Sequence, residues 1–285
     1  MSININFFRS NDAGKLDYEA LLTFFDEIDK FKTYMSEDEV EIVFEDSDFN
    51  FSYRYLITKK SRVNQIYKLS PKYTNVNFLL EMPVLIPTFI AREILELCQK
   101  VCKNFELEVY HDSFDDIKPF NTVTLLSLFK DYRDAYIEEY GLQGKLPFDA
   151  DKLELVCKYQ RRIENWKEYF HNDIEVDPCT VLIDKNSNTY GICSLFKFDK
   201  PTLFPANIDY ISITTEENIE FKVRQEDFFA IMDKYLELVG EDSPGMKILK
   251  PKKVRKAHKT LAKLRKMAIQ DQAFDSLRIC DLIDK

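Results

Sequence analysis

Residues 76–110, VNFLLEMPVLIPTFIAREILELCQKVCKNFELEVY, constrain the fold more than any other part of the chain. Val76, Phe78, Leu80 and Met82 alternate with Asn77, Leu79, Glu81 and Pro83, the period of a strand with one face buried and the other partly so. Pro83 and Pro87 end that strand. From Thr88 onward Ile90, Ala91, Ile94, Leu95, Leu97, Cys98, Val101 and Cys102 recur at helical spacing, with Arg92, Glu93, Glu96, Gln99 and Lys100 on the other side. Asn104 closes the helix, and Leu107 and Val109 then alternate with Glu106 and Glu108 in a second strand. Strand, helix and strand of these lengths make a layer of helix on sheet.

The flanking residues extend that unit. Residues 3–8 read as a short strand and SNDAGK as its turn. Tyr18, Leu21, Leu22, Phe25, Ile28 and Phe31 repeat at three and four, which predicts an amphipathic helix over 17–33 with an acidic outer face. Residues 40–45 and 49–58 are strands joined at EDSDFN, the second alternating Phe51, Tyr53, Tyr55 and Ile57 with Ser52, Arg54 and Leu56. The resulting order of strand, helix, three strands, helix and strand resembles a ferredoxin-like unit with one additional strand.

Downstream, HDSFDDIKPFN (111–121) is a polar loop, and Asn121 or Thr122 caps a helix running to about residue 140. GLQGKLPFD holds two of the six glycines and a proline and is the best linker in the chain. A helix over 149–170 follows, with Leu153, Val156, Cys157, Gln160, Ile163 and Trp166 on one face, so an antiparallel helix pair between two sheets is expected. Residues 180–183 with 189–198, about the turn DKNSN, and 208–214 with 219–223, about TEEN, read as two hairpins. Apolar residues from Phe228 to Leu238 then form a helix on that meander. The expected fold is α+β: a ferredoxin-like half with an extra strand (1–120), a helical connector (121–172), an antiparallel meander with a helix (173–240) and a basic helical tail (241–285).

With 45% hydrophobic residues in 285, the chain has ample material for a packed core. No run approaches the roughly 18 apolar residues of a membrane span, and MSININFFRSNDAGK lacks the order of a signal peptide, so a cytoplasmic location without membrane contact is expected. Cysteines 98, 102, 157, 179, 193 and 280 mostly sit in apolar elements, as reduced thiols do. Cys98 and Cys102 would offer two thiolates to zinc, but no second Cys or His pair of matching spacing accompanies them. No GxGxxG or GxxxxGK[ST] loop occurs, which argues against the common nucleotide-dependent enzymes, and no cofactor is expected.

The formal charge of −9 is unevenly placed. Residues 247–266, KILKPKKVRKAHKTLAKLRK, hold ten of the 40 bases and no acid, leaving 28 bases against 45 acids in residues 1–246. Within the segment Val254, Ala257, Leu261, Leu264 and Ala268 make a narrow apolar seam of a helix, and Lys252, Lys256, Lys259, Lys263 and Lys266 run down a neighbouring face. Either the seam docks and the lysines face solvent or the protein's own acids, or the row tracks nucleic-acid phosphates, or the segment meets a membrane surface or a partner's groove, although its seam lacks the large Trp, Phe or Leu content that membrane insertion needs. The segment contains no aromatic residue on which a base would stack. The opposite cluster is Glu37, Asp38, Glu39, Glu41, Glu45, Asp46 and Asp48. It is either a solvated face protecting a sheet edge or an acidic surface that fills the basic cleft of a nucleic-acid-binding protein, as inhibitors of nucleases do.

Three residue sets have catalytic chemistry. Asp209, Glu220 and Lys222 are similar in order to the metal site of restriction-type nucleases, which implies Mg²⁺ on the carboxylates and a lysine positioning water. His111, Asp112, Asp115 and Asp116 follow a strand, where metal ligands often lie. Cys157 or Cys193 as a nucleophile needs a neighbouring histidine, and His171 suits a helix C-terminus instead. The leading expectation is a non-enzymatic acidic protein that binds a protein partner through residues 37–48, an immunity or inhibitor protein directed at a nuclease or another nucleic-acid-binding partner. A metal-dependent nuclease, and a nucleic-acid-associated subunit using residues 247–266, are the alternatives.

Overall fold

Most elements form where the apolar periods fall, and the departures lie chiefly at helix ends. The computed structural model describes residues 2–142, 147–185, 189–240, 245–269, 274–279 and 282–284. The chain divides into two compact units, one running to residue 147 with Asp284 added, the other from residue 148. The division falls within GLQGKLPFD, of which residues 143–146 lie outside the described residues, and therefore inside the expected 121–172 connector.

In the first unit Ser2–Ser10 (β1) leads to Tyr18–Asp26 (α1), which Asp17 caps by accepting the Ala20 N–H at 3.0 Å. Phe31–Met35 (β2), Glu39–Asp46 (β3), Phe51–Thr58 (β4), Tyr73–Pro83 (β5), Thr88–Phe105 (α2) and Leu107–Tyr110 (β6) complete a sheet of order β2-β3-β4-β5-β1-β6, antiparallel throughout. The run β4-β5-β1-β6 has the order and directions of a ferredoxin-like sheet, and β2 and β3 extend it, so two strands are added rather than one. The difference lies in the predicted helix over 17–33. It stops at Asp26, Lys30 takes a left-handed φ of 76°, and Phe31 enters a strand. Asp26, Glu27 and Asp29 oppose the negative end of the helix dipole. Phe31 still reaches the core, 5.0 Å from the Phe25 ring, which is why a helical period absorbed it.

Phe7, Phe25, Tyr55 and Phe78 fill the space under α1 and α2. On α2 Ile90, Ala91, Ile94, Leu95, Cys98, Val101 and Cys102 are buried, as their spacing requires, and the helix runs past Asn104 to a left-handed Glu106. Thr122–Glu139 (α3), capped by Asn121 on the Thr124 N–H at 2.9 Å, buries Leu125, Phe129 and Arg133 and packs on α2. Pro87, at the N-cap of α2, has no polar side-chain atom to make a capping hydrogen bond. Asp284 does so instead, accepting the Thr88 N–H at 2.7 Å and pairing with Arg133 Nη1 at 3.0 Å, the two side chains 5% and 3% exposed.

The two residues Pro147–Phe148 (β7) precede Ala150–Arg161 (α4) and Ile163–Tyr169 (α5). The predicted single helix over 149–170 thus breaks at Arg162, whose guanidinium stacks 4.6 Å from the Trp166 ring. Thr180–Asp184 (β8) and Thr189–Lys197 (β9) form the first expected hairpin, its turn residues 186–188 outside the described residues. Thr202–Phe204 (β10) leaves that sheet, and Tyr210–Thr214 (β11) with Glu220–Arg224 (β12) forms the second hairpin. β11 lies parallel to β9, so the sheet β12-β11-β9-β8-β15, with Phe274–Leu277 as β15, is mixed rather than a pure antiparallel meander. The excursion through β10 supplies the crossover that parallel neighbours need. Gln225–Met232 (α6) ends in a tight turn at Asp233–Tyr235, earlier than the helix expected to reach Leu238. Glu237–Leu238 (β13) and Lys247–Leu249 (β14) join β10 in a second small sheet. No helix among the described residues is long and apolar enough to cross a membrane.

Candidate nucleic-acid interface

The basic segment begins as strand β14, not as helix. Lys250 is extended, and Pro251, with no N–H to leave unsatisfied, opens Pro251–Ala257 (α7). Residues 258–260 tighten into a 3₁₀ turn, where the Thr260 hydroxyl bonds back to the Ala257 carbonyl at 2.6 Å, and Leu261–Lys266 (α8) follows. Ala257, Thr260 and Leu264 are buried and Val254 and Leu261 half-buried, so the predicted seam is docked on its own unit, with α8 against α6.

Lys252, Lys256, Lys259, Lys263 and Lys266 are all exposed, and among the described residues none of the five stands in an ion pair. Lys252 and Lys256 are one turn apart on α7, Lys263 and Lys266 one turn apart on α8, and Lys259 lies in the 3₁₀ turn between them. Acids near the segment pair with other bases of it: Asp233 with Lys247 at 2.9 Å, Glu237 with Lys250 at 2.6 Å and Glu217 with Arg265 at 3.4 Å, while Glu216 lies 3.9 Å from His258 Nε2. The Lys250 hydrogen bond, aided by the charges of Lys250 and Lys253, holds the Glu237 carboxyl below its ordinary range. Beside the row a groove of about 560 Å³ is lined by Lys259 and Lys263 together with Asp233, Lys234, Tyr235 and Ile231. Tyr235 ends the turn after α6 and is half-buried, with Lys234 Nζ 4.9 Å from its ring centroid. Nothing in the sequence spacing ties Tyr235 to the lysines, so sequence reasoning missed it.

The acidic cluster has the opposite character. In β3, Glu41 and Glu45 share the open sheet face with Lys32 of β2 and Arg54 of β4 through the cross-strand register. Lys32 pairs with Glu45, Lys30 with Asp48 at 3.3 Å, Lys59 with Asp38 at 3.4 Å, and Arg62 with Glu39 at 2.7 Å. Arg54 bridges Glu41 at 2.9 Å and Glu81 at 2.7 Å. Asp46 is buried and accepts the N–H groups of Asp48 and Phe49. Of the seven acids, only exposed Glu37 has no such engagement among the described residues. The face is a ladder of alternating charge.

The expected catalytic sets do not assemble. Asp209 binds Lys152 Nζ through both oxygens, at 2.6 and 2.5 Å, and accepts the Ile192 N–H at 2.7 Å. Glu220 faces Thr214 at the far end of β11, about 16 Å of strand away, and pairs with Lys222 at 2.8 Å and the Ser212 hydroxyl at 2.7 Å. Lys222 and then Ser212 hold the Glu220 carboxyl below its ordinary range. No ion would be shared by carboxylates so far apart.

Asp116 accepts the N–H groups of Ser70 and Ile117, which lower its pKa, while Asp112 and Asp115 are exposed. His111 is buried between the rings of Phe114 and Tyr132, its Nδ1 accepting the Ser113 N–H at 3.1 Å, and burial lowers its pKa. Among the described residues no group of three or more His, Cys, Asp or Glu is arranged to hold a metal ion. Cys98, Cys102, Cys157, Cys179 and Cys193 are buried, and Cys280 lies outside the described residues. Burial pushes the Cys193 thiol up to about 11 and Cys98 well above its ordinary value, the reverse of what a nucleophile or zinc ligand needs. His171 is exposed and left-handed just after α5, a terminus position. No protein-family model, curated protein or solved structure matches the chain.

Proposed function

We propose that the protein is a nucleic-acid-associated protein that holds phosphates with the row Lys252, Lys256, Lys259, Lys263 and Lys266. One observation carries this reading: the five cations of that row are exposed and unmatched while the acids around them are already paired with other residues. An ammonium row tracking a phosphate backbone gains by releasing condensed counterions, a gain that needs no sequence readout. The net charge of −9 does not prevent it, because at about 0.15 M salt charges beyond roughly 8 Å are screened and the local row dominates. The inhibitor reading has less support, since a face whose acids are internally paired would have to break those pairs to enter a basic cleft. The separation of Asp209 from Glu220 removes the basis for proposing a nuclease.

The test is equilibrium binding of labelled RNA, single-stranded DNA and duplex DNA to the full chain at about 50 mM salt. A variant with all five lysines changed to glutamine serves as the comparison. Binding by the native chain that falls at least about tenfold in the variant is expected. Equal binding by the two proteins, or none by either, refutes the proposal.

A further inference from the structure

A row of charges does not distinguish a duplex from a single strand, but the groove beside it has the chemistry to do so. Resting on the phosphate-binding reading above, we propose that this groove seats an unstacked nucleobase against Tyr235, so that the preferred ligand is single-stranded nucleic acid.

Three observations converge. Lys259 and Lys263 belong both to the row and to the groove wall, so a backbone tracking the row passes the groove mouth. The groove volume, about 560 Å³, falls within the range of sites that hold small organic groups. Tyr235 supplies the aromatic ring that the basic segment itself lacks, brought from the turn between α6 and β13.

The local chemistry suits a nucleotide. Lys234 Nζ lies over the Tyr235 ring, 4.9 Å from its centroid, so one face of the ring already attracts a cation and a stacking base takes the opposite face or the place of that ammonium. Asp233, whose Oδ1 accepts from Lys247 at 2.9 Å, gives the wall a carboxylate with remaining acceptor capacity for a base N–H, such as the N3–H of uracil. A base inside a duplex presents no free face to Tyr235, whereas a single strand gives up one base at little unstacking cost. Cationic walls, an aromatic ring and one acceptor together fit a nucleotide better than they fit a peptide or a neutral metabolite.

The experiment measures affinity of the full chain for a uridine-rich single strand and for a duplex of equal length at matched salt, with Tyr235→Leu, Tyr235→Phe and the five-lysine glutamine variant. The native chain should favour the single strand roughly tenfold, and Tyr235→Leu should lose about that factor on the single strand alone. Tyr235→Phe, which keeps the ring, should bind as the native chain does. Unchanged single-strand binding by Tyr235→Leu, or an equal loss on both ligands, overturns the groove proposal. If the glutamine variant alone loses binding, the phosphate reading survives without the groove; if it too binds normally, both fail. Should Tyr235→Leu fold poorly, photo-crosslinking of bromouridine RNA to the native chain decides instead. Adducts within residues 230–235 support the proposal, and adducts confined to other segments refute it.

Discussion

Residues 37–48 carry seven acids and no base, residues 252–266 eight bases and no acid, and the two end up as opposite kinds of surface. In the first, seven acids lie mainly on a strand, and the two-residue period of β3 points Glu41 and Glu45 at the same face as Lys32 and Arg54 of its neighbours. In the second, helical spacing turns five lysines to solvent, and the neighbouring acids Asp233, Glu237 and Glu217 pair with Lys247, Lys250 and Arg265 instead. A sheet brings other chain segments beside every residue of a strand, whereas the outer face of a docked helix meets only water. Charge density in a sequence is therefore a poor guide to surface potential until register and docking are known.

The contrast predicts a division of effects, with matched charges governing stability and unmatched ones governing binding. The buried extreme of matched charge is Arg133 with Asp284, where losing one partner strands the other at the first turn of α2. Arg133→Met should cost about 3–5 kcal/mol in denaturant unfolding, and adding Asp284→Asn should recover much of it. A loss under about 1 kcal/mol would show that the pair is not holding α2. Arg54→Gln removes the bridge between Glu41 and Glu81 on a partly exposed face, so a loss of only about 0.5–1 kcal/mol is expected, shrinking in high salt, with nucleic-acid affinity unchanged. The five-lysine glutamine variant should show the reverse, with stability within about 0.5 kcal/mol per site of the native chain. A large stability loss there would mean that the row is a structural element.

The smallest expected effect concerns pH. Burial keeps the folded pKa of His111 below its ordinary 6.5, so the neutral ring is favoured on folding. That contribution is fully present above the ordinary value and is lost as pH falls towards and through the lower folded one. Unfolding free energy measured downward from neutral pH should thus decline less steeply in His111→Gln than in the native chain. Parallel curves would remove His111 from the account.

Much of this architecture was legible in the residues. The alternation at Val76–Met82 and the helical period from Ile90 to Cys102 specify β5 and α2 because each buries one face over several turns or repeats. The lysine row was legible for the same reason. What failed were features that depend on distant segments. Phe31 fits a helical period and a strand position equally, and the acids before it, together with the left-handed Lys30, decide for the strand. Asp209, Glu220 and Lys222 are neighbours in order but not in register, since a site on two strands requires the residues to face each other across the ladder. Tyr235 and the lysines meet through the docking of α8 on α6, and Asp284 reaches Arg133 across 151 positions, so no local pattern marks either.

The most direct test of the central claim is the salt dependence of single-strand binding, which counts the phosphates neutralised. If the five lysines act together, the logarithm of the association constant should fall against the logarithm of salt concentration with a slope near about −3.5, and the glutamine variant should be nearly flat. A slope near zero for the native chain, or the same slope in both proteins, would contradict the account.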